Sequence, residues 1–250
     1  MDAASRSPGA LELHDISVSY GSVTAVFGVE ATIPAGVVVG IIGPNGSGKS
    51  TLLKAIAGVL PLASGEVLLG GRPIRENARR VAYVPQREEV NWDFPVSAHD
   101  VVLMGRYRSI GWLKRPGSTD RMRAEAALER LGLGGMGQRH ISQFSGGQQQ
   151  RVFLARAIVQ DPDLVLLDEP FTGIDVTNRE VFHSAIREFA DGGVTVLVAT
   201  HDLDEVRATT DYVLCLNREM AAFGPTASTF NPDTLRRTFG GQIAVFGAAQ

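Results

Sequence analysis

Partial alternation of apolar and polar residues marks two early segments, LELHDISVSYG (11–21) and AVFGVEATIPAG (25–36). A third segment, GEVLLGGRPI (65–74), follows a Ser-Gly turn and indicates another strand. Alternation with a period of two is typical of strands that bury one face and expose the other. The three segments therefore predict an antiparallel β layer.

A second pattern consists of short runs that are apolar throughout and rich in β-branched residues. These runs are VVVGIIG (37–43), LVLLDE (164–169) and VTVLVATH (194–201). Strands that are buried on both faces carry such continuous runs, and they occur mainly in parallel sheets covered by helices. The runs predict the parallel core of an α/β fold.

Helical patterns fill much of the remaining chain. The segment TNREVFHSAIREFADGG (177–193) repeats apolar residues at helical spacing, begins with a Thr177/Glu180 capping box and ends in a Gly pair, which predicts an amphipathic helix. Residues 87–160 lack strong strand signals, so we expect a mostly helical subdomain there. The predicted division is residues 1–86 for the antiparallel layer and the first part of the core, 87–160 for the helical subdomain, and 161–250 for the rest of the core with a C-terminal tail.

Length and composition restrict the classes of function. A chain of 250 residues holds one nucleotide-binding domain but not two, and a net charge of -3 gives no electrostatic footprint for nucleic acid. The single Cys215 lies in the apolar run YVLCL, which predicts a buried, reduced thiol. No apolar stretch approaches the length of a signal or membrane-spanning segment, so we expect a chain that is neither exported nor inserted in a bilayer.

The segment GPNGSGKST (43–51) lies between a predicted buried strand and the helical LLKAIAGVL. Glycines in such a loop let the backbone wrap a phosphate, while Lys49 supplies charge to the phosphate oxygens and the Ser50 hydroxyl can bind Mg²⁺. This order of strand, loop and helix predicts a loop that binds the phosphates of a nucleotide, as in any P-loop enzyme. The predicted contacts are Gly43, Pro44, Asn45, Gly46, Ser47, Gly48, Lys49, Ser50 and Thr51.

Two acidic residues close the apolar run LVLLDE. Asp168 is placed to hold Mg²⁺, and Glu169 to polarise an attacking water. Strands often end in solvated carboxylates, so the pair alone is a weak signal. The phosphate loop upstream favours a catalytic interpretation.

The segment FSGGQQQR (144–151), the signature segment below, is similar to the signature motif of the nucleotide-binding subunits of ABC transporters, with Phe144 where Leu is more usual. This resemblance covers nearly the whole chain and implies an α/β ABC ATPase, with a P-loop core, an antiparallel β edge layer and an inserted α-helical subdomain. It implies further ATP contacts and catalytic residues. Four of them lie in the segments VSYG (18–21), YVPQ (83–86), TGID (172–175) and VTVLVATH (194–201). The implied residues are Tyr20 on adenine, Gln86 near Mg²⁺ and the reacting phosphate, Asp175 in the D-loop, His201 as the switch histidine, and the signature residues Ser145, Gly146, Gly147 and Gln148.

His201 also has a physical argument, because a neutral imidazole after one core strand can reach a γ-phosphate held at the neighbouring strand's loop. The segment TGID departs from the more common Ser-Ala-Leu-Asp pattern, which leaves the role of Asp175 open. The resemblance further implies a homodimer in the ATP-bound state, in which the signature segment of each chain closes over the ATP on its partner's phosphate loop.

The segment REEVNWDFPVSAHDVVLMGRY (87–107) presents Trp92, Phe94 and Pro95 among acidic residues. We expect a helix of a polytopic membrane permease to dock there, with an extracytoplasmic solute-binding protein reached through that permease and the chain held at the cytoplasmic face of the membrane. The alternative is that Trp92 and Phe94 only pack against their own helical subdomain.

Three segments, NWDFP, DVVLMGRY and LLDEPFTGID, resemble the ATPases of manganese, zinc or iron uptake systems of bacteria. The five histidines and the cysteine lack ligand spacing, so a transported metal would be recognised by another subunit. An ABC ATPase without a transport role, or one serving another solute or direction, stays open. A P-loop phosphotransferase fits less well, because it leaves the signature segment unexplained.

Overall fold

The computed structural model describes residues 9–111, 114–172 and 176–240, without the side chains of residues 176–178. The chain forms two compact units: the first combines the residues up to Ala78 with those from Phe189 onwards, and the second is Arg79–Glu188. The strands are β1 Leu11–Tyr20, β2 Val23–Ile33, β3 Val38–Ile42, β4 Ser64–Leu69, β5 Arg72–Pro73, β6 Val81–Val84, β7 Leu164–Asp168, β8 Thr195–Ala199, β9 Tyr212–Asn217 and β10 Glu219–Pro225.

The α-helices of the described ranges are mostly short, and three of them have more than ten residues. Three 3₁₀ turns, Ile74–Arg80, Arg87–Glu89 and Ile141–Gln143, lie between them. The helices are α1 Lys49–Ile56, α2 Ala98–Met104, α3 Tyr107–Ile110, α4 Ser118–Arg130, α5 Gly146–Gln160, α6 Val176–Asp191, α7 Leu203–Thr209, α8 Thr226–Thr229 and α9 Pro232–Phe239.

Eight strands of the first unit, counted over its described residues, pair in the order β5-β4-β1-β2-β10-β9-β3-β8. Strands β1, β2, β4 and β5 pair antiparallel, and Leu13 lies opposite both Ala31 of β2 and Val67 of β4. These three side chains are buried, as alternation requires for one face of a sheet. The predicted antiparallel layer is confirmed.

The parallel part of this sheet is formed by β9, β3 and β8. Every residue of β3 and β8 is buried, which explains their continuous apolar runs. Ile41 pairs with Ala199 near the ends of the two strands. Segments that follow β3 and β8 therefore begin at the same edge of the sheet.

The second unit pairs β6 with β7 in parallel and places α2 to α5 in the intervening chain. Arg106 joins three segments of this unit: its Nε lies 3.0 Å from Asp120 Oδ1 of α4 and its Nη1 donates to Val159 O of α5 at 3.1 Å. The hydrogen bond from Arg106 lowers the pKa of Asp120 below its ordinary value of 3.8. The helical content expected for residues 87–160 is present in this unit.

Two details differ from the sequence-based expectations. Helix α6 already includes Val176, so Thr177 lies inside the helix and is not its N-cap. Strands β6, β9 and β10 were not predicted, because β6 has only four residues and the other two form a hairpin around one tight turn. None of the helices in the described ranges has the length and apolar character needed to span a membrane.

Candidate functional site

The phosphate loop follows β3 and has no room for side chains at two of its glycines. A Cβ at Gly43 would lie 1.9 Å from Leu216 O, and one at Gly48 would lie 2.6 Å from Val26 Cγ2. Gly48 also has a φ of 99° and is the N-cap of α1, where it supplies no side-chain hydrogen bond. At the start of α1, the backbone N–H groups of the loop are therefore not covered by side chains. Exposed N–H groups at the start of a helix are the arrangement that binds phosphate.

Two polar side chains face the inside of this loop. Lys49 is 7% exposed, and its Nζ donates to Gly43 O at 2.8 Å and to Pro44 O at 3.3 Å. The hydroxyl of Ser47 is buried and has no hydrogen-bond partner among the described residues. A buried polar atom of this kind usually bonds to an ordered water or a ligand, and with the Lys49 ammonium beside it the loop fits a phosphate group.

The turn between β9 and β10 is hydrogen-bonded to the phosphate loop through backbone atoms. Arg218 donates its backbone N–H to Ser47 O at 2.8 Å, and its own carbonyl accepts from Phe27 N at 2.8 Å. Arg218 has a φ of 63°, which the tight turn imposes. Sequence reasoning missed this support, because the contact joins segments about 170 residues apart and involves only backbone atoms.

Tyr20 and His201 lie near the same loop. The Tyr20 side chain is 49% exposed, and its hydroxyl is 3.5 Å from Thr51 Oγ1, which leaves an aromatic face open beside the start of α1. Thr200 donates its N–H to Ile41 O at 3.1 Å, so the exposed His201 follows at the edge where the phosphate loop begins. The first unit thus brings together an aromatic face, a phosphate cradle and an imidazole.

In the second unit, the carboxyl ends of β6 and β7 carry the other predicted catalytic residues. Asp168 is fully buried at the end of β7, and Tyr83 of β6 donates its hydroxyl to Asp168 Oδ2 at 3.3 Å. Glu169 is 9% exposed and has a φ of 49°, an uncommon conformation for a residue with a side chain. Gln86 lies two residues after β6. Because the strands are parallel, all three predicted residues lie at one edge of the pair.

The signature segment forms the start of α5. Ser145 is the N-cap: its Oγ accepts from Gln148 N at 3.4 Å, and Gln148 Oε1 accepts from Ser145 N at 2.9 Å. This reciprocal capping box fixes the first turn of a 15-residue helix. Gly146 and Gly147 have no side chains, so the backbone of this first turn can approach a phosphate closely.

A residue that the sequence reasoning missed, Arg87, ties this helix to the turn after Gln86. Arg87 Nε donates to Gln149 Oε1 at 3.0 Å. A Cβ at Gly146 would lie 3.1 Å from that same Nε. Arg87 is therefore packed against the first turn of α5.

The aromatic residues proposed for docking line a cavity of about 250 Å³, called the aromatic groove below. Trp92 is partly committed to its own unit: its Nε1 donates to Arg87 O at 2.9 Å and its ring meets the Phe153 ring edge-on at 5.1 Å. Phe94, in contrast, is 57% exposed. The residues of the groove are Val90, Asn91, Trp92, Phe94, Val96, Val101, Met104, Ile141, Phe153 and Arg156.

Two other expectations concern cysteine and the D-loop. Cys215 is free and fully buried, which confirms the predicted thiol, and burial raises its pKa to about 11. Asp175 lies outside the described residues. Among the residues that are described, no group of three or more His, Cys, Asp or Glu side chains is arranged to hold a metal ion.

Comparison with known proteins gives a consistent result. A family model described as ABC transporter matches residues 26–172. The zinc transport system ATP-binding protein TroB of Treponema pallidum is 49% identical over 94% of this chain and 88% of its own length. The manganese transport system ATP-binding protein MntB of Bacillus subtilis is 45% identical over 93% of each chain.

Solved structures agree with these relatives. An ABC transporter in an inward-facing conformation is 28% identical and superposes with a TM-score of 0.80 over 92% of this chain and 88% of that one. A dimeric ATP-binding cassette in a post-hydrolysis state, bound to ADP and Pi, is 27% identical, with a TM-score of 0.76 over 86% of this chain and 98% of that one. The expected α/β fold class is confirmed, and the chain belongs to the ABC transporter family as one of its ATPase subunits.

Proposed function

We propose that this chain is the ATP-binding and ATP-hydrolysing motor of a bacterial importer of metal ions, with manganese or zinc as the cargo. The observation that carries the motor role is the phosphate loop, whose buried Ser47 hydroxyl lacks a partner among the described residues and whose Gly43 excludes any side chain. The two metal-transport relatives are similar along nearly the whole chain, which supports manganese or zinc as the transported ion.

Different residues of the first unit bind different parts of ATP. The exposed ring of Tyr20 stacks on adenine, the loop from Gly43 to Thr51 wraps the phosphates with its N–H groups, and Lys49 supplies positive charge to them. His201 donates a hydrogen bond to the γ-phosphate. Each of these groups lies at or beside the carboxyl edge of the parallel strands, where ligands of open α/β sheets bind.

The donor set fits Mg²⁺, which prefers hard oxygen ligands. Ser50 offers a hydroxyl, Gln86 an amide oxygen, and Asp168 a buried carboxylate oriented by Tyr83. When bound, the ion neutralises charge on the phosphate oxygens. Glu169 acts as the base that accepts a proton from the attacking water.

Two chains form a C₂ dimer around two ATP molecules. The first turn of α5 of one chain, with Ser145, Gly146, Gly147 and Gln148, closes over the ATP on its partner's phosphate loop, and the D-loop with Asp175 belongs to the same interface. The dimeric cassette bound to ADP and Pi supports this assembly. A C₂ arrangement completes both sites at once, so loss of the γ-phosphate weakens both halves of the interface.

The chain works at the cytoplasmic face of the membrane, bound to a polytopic permease that receives its solute from an extracytoplasmic binding protein. A short permease helix docks in the aromatic groove, where the exposed Phe94 and the partly exposed Trp92 offer an apolar seat. Cargo recognition belongs to the other subunits, since a motor needs no metal site of its own.

The test is reconstitution of the chain with its membrane subunit in proteoliposomes. Binding protein loaded with Mn²⁺, Zn²⁺ or Fe²⁺ is added, and ATP turnover and metal uptake are measured together. We expect binding protein loaded with Mn²⁺ or Zn²⁺ to stimulate ATP turnover and metal uptake together. The complex that carries Glu169→Gln should show neither stimulated turnover nor uptake. Failure of the chain to assemble with any membrane subunit, or turnover that depends on a small-molecule phosphate acceptor, would overturn the proposal.

A further inference from the structure

Arg156 of α5 lies in the wall of the aromatic groove, among otherwise largely apolar side chains. Its Nη2 donates to Tyr83 O at 2.9 Å, and its guanidinium stacks over the Phe153 ring, 4.4 Å from the centroid. The groove therefore combines aromatic walls with one fixed, partly buried cation.

This cation has no carboxylate partner in the parts of the chain that the structure describes. Arg106, the comparable arginine of the same unit, is compensated by Asp120 at 3.0 Å as well as by a backbone carbonyl. Burial lowers the pKa of Arg156, as expected for a charge taken from water without a counter-charge. A guanidinium has five N–H donors, and among the described residues a single hydrogen bond, to Tyr83 O, uses them.

We propose that Arg156 binds a carboxylate of the membrane subunit that docks in the aromatic groove. The inference rests on the proposed function and specifies its partner: the docking segment presents apolar side chains to Phe94 and Trp92 and one Asp or Glu to Arg156. A guanidinium in the wall of the aromatic groove favours a planar carboxylate, which it can bind through two parallel hydrogen bonds. The charge of the docked pair is then balanced inside the interface.

A zero-length crosslink tests the contact in the assembled complex. In Arg156→Lys, a water-soluble carbodiimide activates the partner's carboxylate, the introduced amine attacks it, and an amide forms with loss of a proton from nitrogen and departure of the reagent as a urea. We expect a subunit-to-subunit crosslink that mass spectrometry maps to an Asp or Glu in a cytoplasmic loop of the membrane subunit. The wild type and Arg156→Met, which have no amine at this position, should lack it.

Affinity gives the second measurement. Removing one member of a buried charge pair should weaken assembly of the Arg156→Met chain with the membrane subunit by about thirty-fold or more. Changing the crosslinked carboxylate to its amide in that complex should then cause little further loss, because the partner charge is already gone. Multiplicative losses would contradict the pairing.

Fold controls and the wild-type complex separate the possible failures. The melting temperature and ATP affinity of each chain alone are measured first, and if Arg156→Met does not fold, the Arg156→Lys crosslink decides the inference. An assembled Arg156→Lys complex without the crosslink, or an Arg156→Met chain that folds and assembles normally, overturns the carboxylate contact only. A wild-type chain that fails to assemble overturns the transporter role itself.

Discussion

Arg87 and Gln149 are joined by a hydrogen bond of 3.0 Å from Nε to Oε1, although 62 positions separate them along the chain. Gln149 is 3% exposed and also donates from Nε2 to Ile141 O at 3.2 Å. Trp92 bonds to the carbonyl of the same Arg87. Arg87, in the turn after Gln86, is therefore hydrogen-bonded both to Trp92 of the aromatic groove and to Gln149 near the start of α5.

This relationship predicts a measurable coupling between Arg87 and Gln149. Arg87→Met should lower the free energy of unfolding by about 1–3 kcal/mol, because it leaves the buried Gln149 carbonyl oxygen without its donor. Gln149→Leu removes that oxygen, so the double variant should lose less stability than the sum of the two single variants. Urea unfolding of the three variants measures the coupling, and strictly additive losses would show that the hydrogen bond contributes nothing to stability.

Glu169→Gln should preserve ATP binding while lowering turnover by about 10²- to 10⁴-fold, because the amide cannot accept a proton from the attacking water. Lys49→Ala is the contrasting variant: it should weaken ATP binding itself, since the ammonium of Lys49 meets the phosphates before any chemistry. Calorimetry with ATP and single-turnover hydrolysis distinguish the two effects. Near-normal hydrolysis by Glu169→Gln would remove Glu169 from the mechanism.

Phe94→Ala should weaken assembly with the membrane subunit by about thirty-fold if Phe94 is an interfacial anchor worth about 2 kcal/mol. The chain offers a matched control in Phe27, which is 58% exposed against 57% for Phe94 but belongs to the first unit. Phe27→Ala should leave assembly unchanged. Equal behaviour of the two variants in a pull-down titration would count against docking at the aromatic groove.

The Arg106–Asp120 pair predicts a dependence of stability on pH. Because the folded-state pKa of Asp120 is lowered, its carboxylate stabilises the fold fully above the unfolded pKa, and this stability is lost as the pH falls through the lowered folded pKa. Asp120→Asn should therefore cost about 0.5–1.5 kcal/mol at neutral pH and progressively less below about pH 4. Asp233→Asn, in a pair whose side chains are 72% and 85% exposed, is the control and should cost little. A loss for Asp120→Asn that does not change with pH would contradict this assignment.

The sequence predicted the parts of the site that depend on local patterns. The phosphate loop is contiguous and needs glycine at positions such as 43 and 48, where added side chains would collide, so its motif carries its own geometry. The capping box at Ser145 is likewise set by residues three apart. Buried parallel strands can be predicted because their sequences are uninterrupted apolar runs.

What the sequence did not reveal depends on contacts between distant segments. Nothing near Arg87 indicates that its guanidinium meets Gln149, and nothing near Arg218 indicates that its backbone supports Ser47. Arg156 occupies a helix whose pattern does not distinguish a solvated arginine from one in a groove wall. Thr177 and Glu180 have the spacing of a capping box, yet α6 begins before Thr177.

Retention of ATP by mixed dimers tests whether the signature segment of one chain closes over its partner's ATP. Ser145→Arg blocks the signature segment, Lys49→Ala disables the phosphate loop, and Glu169→Gln is added to both chains so that a closed site stays closed. Each homodimer then has only defective sites, whereas a mixed dimer has one intact loop facing one intact signature segment. We expect about one trapped ATP per mixed dimer, because one of the two sites of the C₂ interface is whole. No trapped ATP in a preparation shown to contain the mixed dimer would mean that the signature segment does not close over its partner's nucleotide.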